Sequence, residues 1–527
     1  MAGRTWVIGT GVVVLAAGGL AGAALFAWPQ AQLDVTGDAL AAVELPGFAG
    51  TPAAVRVTNA EGRRVPVALQ DGELWPRRRL GAGEQLTVAV TVRRPSWAGW
   101  LVGRTATKTF ALVTPTAHVR SRWLQVKPGA DVTVAFDQPV GLVRLGAKRL
   151  RLPQPRSVVP VGIVATGTHR AGFTEVASAA RAWERLSKPV RVTWFPKQPY
   201  TQLLTRPRAG DALKPDAELT LGFSAPVRAV LGSARPRVVP ATPGRWRLVD
   251  AHTLAFKPSG LGFPLGTTVQ VVLPRAVHPV GPETTAVRIL SWTTAPGATL
   301  RLHQLLAQLG YLPLDWQPAA DLPAPSREMQ LAAAVSPPAG RFTWRYADTP
   351  PELRALWSAG RLNEITRGAV MMFEDTHGLT VDAIAGPKVW HALLLDALAG
   401  KRRDTGYSYV FVHRDVPQSL HLWHNGKVIL TSPGNTGVPA APTDLGTWPV
   451  FEHIPVGTMS GTNPDGSHYN DPGIRWISYF HGGEALHAFN RASFGTPQSL
   501  GCVELPLAAA AKVWPYTPIG TLVTVEH

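Results

Sequence analysis

The stretch YFHGGEALHAFNRASFGTPQSLGCVELP, Tyr479 to Pro506, decides how this chain is read. It holds the single cysteine of 527 residues, Cys502, together with His481, Glu484, His487 and Ser499. A lone cysteine forms no internal disulfide, so Cys502 is either a buried apolar residue or a reactive thiol. A thiol attacks only once a base takes its proton. His487, 15 residues upstream, reaches Cys502 if the intervening loop folds back between adjacent strands. Gly501 suits a place where the backbone itself must approach a substrate. The rival chemistry is a metal site of His481, Glu484 and His487. Its H-x-x-E-x-x-H spacing departs from the HExxH helix, and Gly482-Gly483 opposes a helix that would align the ligands, so no metal is expected. His481 and His468 then read as solvated loop positions.

Outward from this stretch, Tyr407 to Val412, His421 to Trp423, Val428 to Thr431 and Thr521 to Val525 read as short strands, with Asn425-Gly426 as a hairpin turn. Pro506 opens a helix through Leu507 and the alanines to Val513-Trp514. The last domain, 405–527, is therefore mostly β.

The run His487, Ser499, Gly501, Cys502 resembles the signature of the YkuD-fold L,D-transpeptidases. Ser432-Pro433-Gly434-Asn435-Thr436-Gly437 and Thr443-Asp444-Leu445-Gly446-Thr447-Trp448 resemble that family's upstream elements. The resemblance implies that Cys502 attacks the third-residue carbonyl of a peptidoglycan stem, releases the terminal D-alanine and forms a thioester. His487 takes the thiol proton and later activates an acceptor amine. It also implies that the Ala488 carbonyl orients His487, that no side-chain acid is required, and that backbone N–H groups around Gly501 and Cys502 hold the oxyanion, with Ser499 in support. No cofactor is implied. Tyr479, Phe489 and Glu504 are the candidate substrate-binding residues. Glu504 stands where many members carry Arg or Asn, and an acid there would repel a substrate carboxylate, or would meet an acceptor ammonium instead. Hydrolysis of the thioester, as in an L,D-carboxypeptidase, and a non-catalytic wall-binding scaffold are the alternatives.

Upstream, Leu302, Leu305, Leu306 and Leu309 repeat at helical spacing and stop at Gly310. With Phe373, Gly378-Leu379, Val381-Asp382, Gly386 and Trp390, the region 299–400 resembles the three-helix peptidoglycan-binding domain, with a Pro-rich insertion from Pro313 to about Pro351 and Ala383 where Gly is common. A polar link, Gly400 to Arg403, follows it. Further upstream, Leu124 to Val140 (LQVKPGADVTVAFDQPV) recurs as Asp211 to Val227 (DALKPDAELTLGFSAPV) at an offset of 87, the length of one sandwich domain. The chain thus reads as β modules at 33–113, 114–204 and 205–298 that resemble bacterial immunoglobulin-like modules.

Trp6 to Trp28 carry no charge over 23 residues and follow Arg4, which reads as a retained transmembrane anchor over 1–32, with a cleaved signal peptide as the competing reading and everything beyond it exported. The expected fold class is a membrane-anchored, multidomain, mainly β protein, consistent with 51 Gly and 48 Pro punctuating short elements. The net charge of +17 favours anionic wall polymers as neighbours. Its even spread, without clustered Lys/Arg tracts, argues against nucleic acid.

Overall fold

Alternating apolar residues build strands along most of the chain, and the computed structural model describes residues 30–527 apart from 36, 48, 98–102, 128–129, 163–170, 281–284 and 322. The described protein is multidomain and mainly β. The expected transmembrane anchor falls almost wholly outside the described residues. Among the described residues no helix is long and apolar enough to cross a membrane. The longest, Glu364–Thr376, has 13 residues; at about 1.5 Å per residue it reaches about 20 Å, against a hydrocarbon core of about 30 Å. The membrane-anchored fold class and single-pass membrane location are corrected accordingly.

The described chain forms two compact units. One runs to Leu204 and adds Phe223–Pro226 and Val277–Ala286; the other comprises Thr205–Gly222, Val227–Ala276 and Val287–His527. In the first, Thr51–Asn59 and Gln85–Arg93 pair antiparallel, and Trp123–Val126 runs parallel to Val190–Pro196 in a five-stranded sheet. In the second, Ala212–Leu213 likewise runs parallel to Val287–Thr294. The two repeat segments therefore open in the same way, a short strand laid parallel to a strand that follows later in the chain, with Phe136 and Phe223 each fully buried. They part after Pro-Val. The first copy continues as strand to Leu145, whereas the second turns into the helix Val227–Leu231, closed by Gly232 at φ +62°.

The described residues of 299–398 form five helices and a hairpin. Thr299–Gln308, Glu364–Thr376 and Pro387–Leu398 carry the residues of the helical motif, while the Pro-rich insertion forms the hairpin Leu314–Pro318 and Gly340–Trp344 and the helices Arg327–Val335 and Pro351–Ala355. Ala383 sits at φ +62°, a left-handed conformation that glycine adopts without penalty, so its replacement of Gly carries a local strain. The Glu374 carboxylate holds that turn by accepting from the Asp382 and Ala383 amides at 3.1 and 3.0 Å.

The helices do not stand apart from the C-terminal β domain. Leu302, Leu306, Val370, Phe373 and Trp390 share one core with Tyr407, Tyr409, Trp423 and Leu522. A Cβ on Gly368 would lie 2.4 Å from the Gly520 carbonyl oxygen, so backbone meets backbone there. The polar link is also seated, the Arg403 amide donating to the Leu309 carbonyl at 2.8 Å. In the β domain a five-stranded sheet, ordered Lys427–Pro433, Ser419–His424, Ser408–His413, Leu522–Glu526 and Gly446–Pro449, packs against a four-stranded sheet. The latter is ordered Glu452–Thr462, His468–His481, Glu484–Ala488 and Val503–Leu505. Between them lie Val410, Val412, Leu420, Leu422, Leu486, Val503, Leu505 and Val523. Asn425 at φ +48° and Gly426 at φ +90° make the two-residue turn that the sequence specified.

Candidate active site

Period-two alternation places the chemistry. On Glu484–Ala488, Leu486 and Ala488 face the core between the sheets, which turns Ala485 and His487 to the other face. The neighbouring strand Val503–Leu505 runs parallel, with Leu486 beside Val503, His487 beside Glu504 and Ala488 beside Leu505. Val503 and Leu505 point into the core, so Cys502 and Glu504 share the face of His487. The loop between the two strands folds back as the sequence required.

Cys502 lies in a loop clamped at both ends. Asn435 and Glu504 exchange backbone hydrogen bonds of 2.9 Å each, and the Ser499 amide donates to the Thr436 carbonyl at 3.1 Å. The Ser499 hydroxyl donates to the Cys502 carbonyl at 2.5 Å. The Ser432 to Gly437 segment is thus the cradle of the nucleophile loop. Gly437 cannot be replaced there without a shift, since its Cβ would lie 2.1 Å from the Ala441 carbonyl oxygen. Thr443 supports the same turn by accepting from the Gly437 amide at 2.9 Å. Gly501 adopts φ +109°, which only glycine holds at ease, directly before the thiol.

The His487 ring is buried, and its Nδ1 lies 3.0 Å from the Ala488 carbonyl oxygen. A carbonyl only accepts, so Nδ1 carries the proton and Nε2 is the basic nitrogen. Burial holds the imidazole below its ordinary 6.5, with the Ala488 carbonyl and the Glu504 carboxylate working against that and Arg491 working with it. Burial also pushes the Cys502 thiol up to about 12, opposed by the Ala485 amide and reinforced by Glu504 and Glu484. The thiol remains partly accessible and lies 3.7 Å from the Gly483 carbonyl. The resting pair at neutral pH is thiol and neutral imidazole rather than an ion pair.

Tyr479 and Phe489 pack with Cys502 around Ile474, Ile477 and Ala485, joined by Ile454 and Met459 of the long hairpin Glu452–Thr462 and His468–His481. Burial raises the Tyr479 and Tyr469 hydroxyls, and the Cys502 charge raises them further. Tyr469 and Met459 escaped the sequence reading because nothing in their local sequence marks the hairpin as part of the site.

Glu504 is held in an ion pair. It is buried, and its two oxygens accept from Arg491 Nη2 at 2.7 Å and Nε at 2.8 Å. Arg491 was overlooked by the sequence reading; an acid flanked by apolar Val503 and Leu505 was the signal that a cation had to be near. The Arg491 guanidinium lies 4.5 Å from the centre of the Phe489 ring, which meets His487 edge-on at 5.9 Å and 81°.

Of the three residues of the rival metal reading, His481 and Glu484 pair across two strands and share Asp444, while His487 binds the Ala488 carbonyl. His481 ends its strand stacked on Trp448 at 4.2 Å and 3.2 Å from an Asp444 oxygen, so it is not a solvated loop residue. Glu484 accepts from the Asp444 amide at 2.9 Å, its other oxygen is buried without a partner, and burial pushes its carboxyl up to about 7. Among the described residues no group of three or more His, Cys, Asp or Glu side chains is disposed to hold a metal ion.

Residues 407–525 match the YkuD family, the L,D-transpeptidase catalytic domain. No curated protein sequence matches the chain. Among solved structures, an L,D-transpeptidase from Mycobacterium smegmatis is 14% identical over 62% of this chain and 99% of that one, with a TM-score of 0.21. L,D-transpeptidase 3 from Mycobacterium tuberculosis, in complex with a faropenem-derived adduct, is 12% identical over 62% and 98%, also at 0.21. The catalytic domain of the E. faecium L,D-transpeptidase is 24% identical over 24% of this chain and 100% of that one, at 0.21. TM-scores this low add no weight to the family match. The family likeness of the chain therefore lies in its C-terminal part, residues 407–525, which matches the L,D-transpeptidase catalytic domain.

Proposed function

We propose that the protein is a cysteine acyltransferase that cross-links peptidoglycan stem peptides outside the cytoplasm. The observation that carries this reading is the placement of Cys502 and His487 on one face of two parallel strands, with His487 Nδ1 bound to the Ala488 carbonyl and Nε2 left as the base. As the thiol sulfur bonds to the stem carbonyl carbon, its proton passes to His487 Nε2. The C–N bond to the terminal D-alanine then breaks and that proton leaves with the amine. In the second half, an acceptor amine attacks the thioester, His487 takes a proton from it, and the thiol re-forms. Backbone N–H groups of the Gly501–Cys502 turn serve the oxyanion. Tyr479 and Phe489 line the approach to Cys502.

The upstream β modules act in this reading as a spacer that resembles immunoglobulin-like modules, and the helices brace the catalytic domain through their shared core. The +17 charge favours contact with anionic wall polymers.

Incubating the full chain with tetrapeptide muropeptides tests the reaction. Cross-linked dimers with release of D-alanine are expected. Shortened monomers alone would make the enzyme a carboxypeptidase, and unchanged muropeptides would leave a wall-binding scaffold.

A further inference from the structure

The resemblance to the family implies a histidine oriented by a carbonyl alone, with no acid behind it. This chain has one. Glu504 lies beside His487 across the parallel register and shares its strand face. Its side chain is only 5% exposed and is held by two hydrogen bonds to Arg491, whose side chain is 31% exposed. Arg491 in turn packs on Phe489, and the edge of Phe489 meets the His487 ring. A buried ionised carboxylate with no structural partner but one arginine is costly to maintain. Its placement beside the base gives it a use: as Cys502 gives its proton to Nε2, a positive charge appears on His487 in a dry environment where a neighbouring anion acts strongly.

We propose that Glu504 is a positioning residue for His487: its carboxylate, fixed by Arg491, stabilises the imidazolium formed when Cys502 loses its proton to the ring. The proposal rests on the acyltransferase reading. Arg491 moderates the effect, because its cation opposes a positive charge on the ring. The charged groups that act on His487 are Glu504 and Asp471, which favour the imidazolium, and Arg491, which opposes it. Cys502 completes the set once it is ionised. Asp471 lies on the hairpin strand His468–His481.

The charges of the two partners predict opposite shifts. In E504Q the bare Arg491 cation should lower the His487 titration by about 1 pH unit, and in R491Q the unopposed Glu504 should raise it by a similar amount. Acylation of Cys502 at neutral pH should fall about tenfold in E504Q as the imidazolium loses its neighbour. A role limited to packing gives a different result. Loosening the site lets water reach the ring, which raises the titration toward 6.5 in both variants.

The measurement is a ring-proton NMR titration of His487 in full-length chains with labelled histidine, alongside D-alanine release. Should E504Q not fold, the double variant E504Q/R491Q is compared with R491Q, and the double should titrate lower. A wild-type chain that never acylates Cys502 overturns the acyltransferase reading, and the proposal falls with it. An acylating chain whose His487 titration is unmoved or raised by E504Q, or equal in R491Q and the double variant, overturns the proposal alone.

Discussion

Replacing His487 with Gln is expected to slow acylation of Cys502 by about a hundredfold or more at neutral pH. The size follows from the resting state. With the thiol pushed up to about 12, almost no thiolate exists at pH 7, so attack depends on a base that removes the proton as the bond forms. In the proposed reading Nε2 of His487 serves as that base, since Nδ1 is bound to the Ala488 carbonyl. The pH profile carries the sign. The base works only when neutral, and burial lowers its pKa from 6.5, so wild-type acylation should persist below pH 6.5 and fall as pH drops through the lowered value. In the Gln variant that acid limb should vanish, and the residual rate should climb with pH as the thiolate fraction grows. D-alanine release measured from pH 4 to 10 checks both, and an unchanged profile in the variant contradicts the assignment.

Arg491→Ala is expected to destabilise the catalytic domain by about 3 kcal/mol, a large effect for one side chain. The arginine is partly exposed, but its partner is not. Truncation leaves the Glu504 carboxylate, 5% exposed as a side chain, without the two hydrogen bonds that replace water. Changing Glu504→Gln as well should recover much of the loss, because a neutral amide tolerates the site better than an unpaired charge. Thermal unfolding of the two variants and wild type decides it. Equal midpoints for Arg491→Ala and wild type would mean the pair contributes nothing.

The chemistry-bearing part of the fold was legible because its signals are local. The strands of the β domain alternate, Asn425-Gly426 fixes a turn, and the three motifs around Gly437, Thr443 and Cys502 meet in space as their joint resemblance implied. What stayed hidden depends on contacts between distant segments. Arg491 sits 13 residues before Glu504 in an unremarkable loop, so only the fold brings the two together and turns an apparent repeller of substrate into a neutralised pair. The seating of the helices on the β domain through Gly368 and Gly520 leaves no periodic trace, since each is one more glycine in a chain of 51. The 87-residue repeat pointed to two segments that resemble one another but not to the helix at Val227–Leu231, where Arg-Ala-Val-Leu-Gly replaces the strand of the first copy. The apolar run near the amino terminus was read as an anchor from composition alone, and no described helix has the length for that role.

The central claim, that Cys502 is an acylated nucleophile, is tested most directly by intact mass. The full chain is incubated with a carbapenem, whose β-lactam ring a nucleophilic thiol would open to form a thioester, and then weighed. A single adduct of the mass of the intact drug is expected in wild type and none in Cys502→Ala. No adduct in wild type, or an equal adduct in Cys502→Ala, contradicts the account.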